Sequence, residues 1–137
     1  MGMRYANGIG VEADEARAVE YWHKAADQGR RGAQYNLGLS YNLGRGVAAD
    51  PVAAANWYRL AADQGVAGAQ ANLGVMYLDG KGVSQDYIQG YVWFAIARDS
   101  GVAEAANNVE IAESRMTQQQ INTAQARVQE WKTQHGN

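Results

Sequence analysis

The chain has 137 residues, of which 47% are hydrophobic and 19% charged, with 12 basic against 14 acidic side chains and a net charge of −2. That is one domain's worth of chain without the basic excess that holding a phosphate backbone requires, so nucleic acid is not an expected partner. There is no cysteine, which excludes a disulfide framework, a zinc knuckle and a thiol nucleophile. No apolar run reaches the ~18 residues of a membrane span, and no hydrophobic signal core follows Met1-Gly2-Met3-Arg4, so membrane insertion is not expected. Leu, Ile, Val and Phe together number 23, fewer than the 25 alanines, while Tyr and Trp contribute eight and four. Small residues and rings in this proportion suit closely approached helices.

Self-similarity organises the chain. Ala33 to Gly68 aligns without a gap with Ala69 to Glu104, a spacing of 36. Stepping back by the same interval, Tyr5-Ala6-Asn7-Gly8-Ile9-Gly10-Val11 matches Tyr41 to Val47, and Tyr21-Trp22 matches Trp57-Tyr58 and Trp93-Phe94. The expected organisation is a single repeat domain over 1–137: a partial repeat at 1–32, full repeats at 33–68 and 69–104, a partial repeat helix at 105–116 and a terminal helix at 117–134.

Taken in chain order, residues 1–32 hold the glycine turn and second helix of a unit whose first helix ought to begin before Met1. This start is read as a fragment of a longer protein or as an uncapped face on which two copies stack as a homodimer. In the next unit Ala33, Leu37 and Tyr41 fall four apart and share a helix face. Gly44 and Gly46 stop that helix, because glycine accepts the left-handed backbone of a helix end. Asp50-Pro51 opens a second helix as N-cap and first residue. Ala54, Trp57 or Tyr58, and Ala61 then recur at helical spacing until Gly65. Asp14 and Asp86 stand where Asp50 does and are expected to cap in the same way. Thr117 to Gln120 has capping-box spacing, and Ile121, Ala124, Val128 and Trp131 line one side of a helix otherwise polar. One apolar and one polar face is what the end of a repeat stack needs.

The run Ala-x-x-x-Leu-Gly-x-x-Tyr, Gly-x-Gly-Val, Asp, Trp-Tyr, Ala-Ala and Gly resembles the Sel1-like repeat family, relatives of the tetratricopeptide repeat. Ala33, Leu37, Gly38, Tyr41, Gly44, Gly46, Val47, Asp50, Ala54, Trp57, Tyr58, Ala61 and Gly65 carry the likeness, and the next unit repeats it from Ala69 to Gly101. Gly90 departs from Ala18 and Ala54, and Arg98 from Ala26 and Ala62, which points to looser packing or a changed angle in the last full unit. The resemblance implies an all-α, right-handed α-solenoid of antiparallel helix pairs with a C-terminal capping helix. It also implies a non-catalytic adaptor that binds a protein or peptide on its concave face. The alternative is a fragment or regulatory module of a larger bacterial envelope, secretion or signalling protein, in the cytoplasm or periplasm.

Chemistry is sparse. His23 corresponds to Arg59 and Ala95 in the other copies, so its position does not demand imidazole, and a solvated surface is the expectation for it and for His135. Ser40, Ser84, Ser100 and Ser114 lack a His-Asp pattern. Gly44-x-Gly46 and Gly80-x-Gly82 follow no strand and precede no Walker lysine, so they read as helix stops. No catalytic, cofactor-binding or metal residue is assigned, and no cofactor is expected. The recurring rings Trp22, Trp57, Tyr58, Trp93 and Phe94 read as core. If tetratricopeptide-like geometry holds, the first helix of each unit lines the groove, presenting Tyr35, Leu39 and Asn42, then Ala71, Val75, Leu78 and Asp79, then Asn107 and Ile111. Such a lining offers apolar anchors beside amides for an extended or helical peptide.

Overall fold

The computed structural model describes the backbone of residues 4–135 and the side chains from Asp14 onward. Those residues form seven α-helices and no strand: α1 (Arg4–Asp27), α2 (Arg31–Leu43), α3 (Pro51–Asp63), α4 (Ala67–Asp79), α5 (Tyr87–Asp99), α6 (Glu104–Glu113) and α7 (Gln118–Gln134). Each helix from α1 to α5 packs on the next in sequence, so the chain is an all-α solenoid of antiparallel hairpins.

The start and stop chemistry behaves as the sequence dictates in the two full units. The Asp50 carboxylate accepts hydrogen bonds from the amides of Val52 (3.1 Å) and Ala53 (3.2 Å), and Asp86 accepts from Gln89 (3.1 Å). Gly44 (φ +71°) and Gly80 (φ +69°) take the left-handed conformation at the C-termini of α2 and α4. The intervening loop closes where the Asp50 amide donates to the Tyr41 carbonyl, repeated from Asp86 to Tyr77. A second glycine in each loop lies against the preceding unit: a Cβ on Gly46 would stand 2.5 Å from the Glu15 carbonyl oxygen, and one on Gly82 would collide with the Pro51 carbonyl.

The first unit departs from this pattern. Tyr5 to Val11, expected as helix end and glycine turn, runs inside α1, and Asp14 sits in mid-helix rather than at an N-cap.

Glycine also sets the distance between helices. Gly38 on α2 faces the Tyr58 ring of α3, and Gly74 on α4 faces the Phe94 ring of α5, where a Cβ would lie 2.7 Å from the ring. Tyr58 and Phe94 are fully buried as a result. Trp57 is only half-buried, so of the two aromatics the spacing allowed on the core face, Tyr58 is the one that fills it. Gly90 does not loosen the last full unit: its missing Cβ would stand 3.3 Å from the Gly74 carbonyl, a close approach of α5 to α4.

The last helix has the expected capping box, with Thr117 Oγ1 accepting from the Gln120 amide (3.1 Å) and Gln120 Oε1 from the Thr117 amide (2.9 Å). It buries Ala124 and Val128 and lies chiefly against α5 rather than against α6, its neighbour in sequence. Gln125 donates to the Tyr91 hydroxyl (3.3 Å), Lys132 pairs with Asp99, and the Trp131 indole meets Trp93 edge-on at 6.1 Å.

Candidate functional site

The first helices α2 and α4 touch one another directly. With α6 they are the first helices of successive units. Leu39, Val75 and Ile111 occupy one register across these helices, each 36 residues from the last. Leu39 is half-buried and packs on the core, while Val75 is 42% and Ile111 43% exposed. The result is an apolar row along the first helices whose two later members are exposed.

Around this row the expected lining residues differ in availability. Tyr35 is half-buried, its ring tilted against Tyr58 at a centroid distance of 6.1 Å, with its hydroxyl end beside Gly68 at the start of α4. Ala71 is half-buried, and Asp79 and Asn107 are exposed. Asn42 is half-buried, and its Oδ1 is sealed from solvent with no hydrogen-bond partner. Leu78 corrects the expectation: it is a core residue, 9% exposed, drawn inward because Gly90 opposite it has no side chain to hold it out. One asparagine per unit shares a register at Asn36, Asn72 and Asn108, all half-buried. These escaped the sequence reading, although the 36-residue spacing carried the signal.

The Tyr58 hydroxyl lies under this surface next to Asn42 and Asn72 and makes no hydrogen bond of good geometry. Burial pushes its pKa from 10.0 up to about 12, against the opposing pull of the Asn42 and Asn72 amides. Asp99, on the opposite edge at the end of α5, moves the other way. Partial burial raises its pKa, but hydrogen bonds from Lys132 and Arg98 outweigh that and hold the carboxyl below its ordinary value.

His23 is not the solvated side chain expected. Its Nε2 lies 3.1 Å from the Tyr41 hydroxyl, and its ring meets Trp57 edge-on at 5.7 Å. One unit later Arg59 donates to the Tyr77 hydroxyl and lies over that ring at 5.6 Å. Both pairs are 18 residues apart, so this position holds the tyrosine of the next unit. Gln34 and Gln70 form a second repeated tie, donating to the carbonyls of Ala26 (3.5 Å) and Ala62 (3.1 Å). Among the described residues no three His, Asp or Glu side chains gather as a metal site, and no helix is long and apolar enough to cross a membrane.

Two features therefore define the molecule: hairpins locked in series by repeated side-chain ties, and a row of apolar and amide groups along the first helices. That is the architecture of an α-helical repeat scaffold. The Sel1 repeat model matches residues 1–29, 32–66 and 67–102, and the chain belongs to the Sel1 repeat family. Proteins of this family are in general protein–protein interaction scaffolds. The chain is similar to the crystal structure of c5321, a protective antigen of uropathogenic Escherichia coli strains displaying an SLR fold. The match has 37% identity and a TM-score of 0.84 over 88% of this chain and 26% of that one. It is also similar to a Sel1 repeat protein from Oxalobacter formigenes, at 35% identity and a TM-score of 0.68, over 70% of this chain and 40% of that one. The chain thus corresponds to between about a quarter and two-fifths of these solved relatives. No curated protein matches it.

Proposed function

We propose that the chain is a non-catalytic adaptor whose concave face, made by α2, α4 and α6, captures a protein or peptide segment. The observation that carries this is the register of Leu39, Val75 and Ile111. Large apolar side chains exposed at one position of successive units have no packing role to explain them at Val75 and Ile111. Tyr35, Asn42, Ala71, Asp79 and Asn107 flank the row, of which the exposed Asp79 and Asn107 supply polar contacts for a backbone. Leu39 packs on the core as well, so the discriminating variant is Val75→Glu with Ile111→Glu. Proteins captured from the source lysate by the unaltered chain are expected to be lost from that double variant while its helical circular dichroism and melting temperature hold. Undiminished recovery of the same proteins refutes the reading.

A second reading is favoured by the coverage of the solved relatives: the stack is a positioning module within a larger protein, such as one acting in a bacterial envelope, secretion or signalling system. The length of the parent reading frame tests it. A frame that adds a further domain supports it, and one that adds nothing removes it. Pairing of two copies through the N-terminal face is a separate proposal, tested by light scattering over falling concentration.

A further inference from the structure

We propose that the cavity between α5, α6 and α7 is a binding site for a guanidinium group, with the Glu113 carboxylate as its partner. The cavity measures about 470 Å³. Tyr91 and Ala95 of α5 and Val128 of α7, all buried, supply its deeper lining. Half-buried Glu113 of α6 and exposed Gln125 and Gln129 of α7 add side-chain oxygens to it. Glu113 stands two residues past Ile111 and so lies on another side of α6. The inference therefore holds whether or not the first helices capture a peptide.

The preceding units show what this space can hold. His23, Arg59 and Ala95 share one register, and Tyr41, Tyr77 and Glu113 share the one they face. At the second junction the Arg59 guanidinium donates to the Tyr77 hydroxyl and lies over that ring at 5.6 Å. At the third, Ala95 brings only a methyl group, so the space of a long side chain is left as cavity, and the phenol facing it has become a carboxylate. Two carboxylate oxygens accept parallel N–H bonds from one guanidinium, a stronger and more specific contact than a single phenol oxygen offers. Glu113 enters no ion pair among the described residues. The other charges in the lining are already committed: Arg98 Nε donates to Asp99 at 3.0 Å, and Asp99 also pairs with Lys132. Gln125 spends its amide N–H on the Tyr91 hydroxyl (3.3 Å), which leaves its oxygen to accept a remaining guanidinium N–H, as the Gln129 oxygen can. Ala95 and Val128 give the aliphatic stem of such a ligand an apolar wall.

The full chain is titrated by NMR with N-acetylarginine amide, whose only charge is the guanidinium. Saturating shifts are expected at the backbone amides of Ala95, Glu113 and Gln125, and not at the exposed acids Glu20 and Asp79. N-acetylcitrulline amide has the same shape without the charge and is expected to bind ~10-fold more weakly, as is the arginine compound to Glu113→Gln. Ala95→Arg, which supplies the group from within the chain as Arg59 does, is expected to abolish binding. Free L-arginine run beside the blocked form separates the sources. Tighter binding of the free amino acid assigns the site to a small molecule, tighter binding of the blocked form assigns it to a polypeptide side chain, and either supports the site. No localised shift at ~10 mM, above the range such a small ligand needs, overturns the proposal. So do equal affinities for the arginine and citrulline compounds, or an affinity unchanged by Glu113→Gln. Ala95 is buried, so should Ala95→Arg fail to fold, Glu113→Gln at its half-buried site carries the test, with helical circular dichroism as the check on its fold.

Discussion

At position 58 a tyrosine ring fills the space that Gly38 leaves open, and its hydroxyl is carried into the core with it. Truncation to alanine is therefore expected to cost ~3–5 kcal/mol, the range for a large core ring. Trp57→Ala, at a half-buried site, should cost clearly less; equal losses in urea titrations would show that the two rings share the load. The sequence could not choose between these neighbours, because spacings of three and four both lie on one helix face. What decides is the glycine opposite, a contact invisible along the chain. The raised pKa of Tyr58 has a definite sign. Between its ordinary value of 10.0 and about 12 the unfolded chain releases this proton and the folded chain keeps it, so stability falls as pH rises across that window. Tyr58→Phe removes a buried hydroxyl that makes no hydrogen bond, so stability at neutral pH is expected to hold or rise. The decline between pH 10 and 12, followed by urea midpoints, should become shallower in that variant.

Whole helices follow the sequence where their signals are local. Asp50 caps α3 and Thr117 caps α7 because a side-chain acceptor sits beside free amides, a relation within four residues. Asp50→Ala should cost ~1 kcal/mol, read as a lower melting temperature, while Asp14→Ala, in mid-helix, should be close to neutral. If both variants lose the same stability, Asp14 caps a helix after all. The glycine turn near Gly8 was equally legible as a motif, yet the chain there is helical, whereas Gly46 and Gly82 turn against the carbonyls of Glu15 and Pro51. Those contacts are tertiary, and the local pattern could not express them. The seat of α7 was also beyond reach: its apolar face was readable, but not that Lys132 and Gln125 would fix it on α5. Asp99 in this contact is held charged below its ordinary pKa, so its contribution is present at neutral pH and lost as pH falls through the folded value. Being partly exposed it is worth no more than ~1 kcal/mol, and Lys132→Met should flatten the acid limb of a stability profile by about that amount.

For the whole molecule, the buried side chains divide into two clusters. The larger runs from Ala54 to Val128, and the smaller joins Val19, Ala25, Ala26, Ala33 and Leu37 at the N-terminal end. A stack held only by neighbour contacts need not open in one step. Amide exchange is expected to be faster through Val19–Ala26 of α1 than through α4 and α5, and uniform protection would contradict the division. The solenoid was legible because one register, repeated every 36 residues, places Leu39, Val75 and Ile111 alike. Leu78 was misplaced because its burial depends on Gly90, a local departure from the repeat.

The paired contacts His23 with Tyr41 and Arg59 with Tyr77 bear on how such stacks can be lengthened or recombined. Each junction works as a key cut across two units, the donor in one and the phenol in the next. At the third junction both halves are gone together: Ala95 stands in the donor register and Glu113 in that of the phenol. A copy of residues 69–104 spliced in after Glu104 would therefore set its tyrosine against a methyl group, and the new joint would hold poorly until Ala95 was exchanged for arginine or histidine.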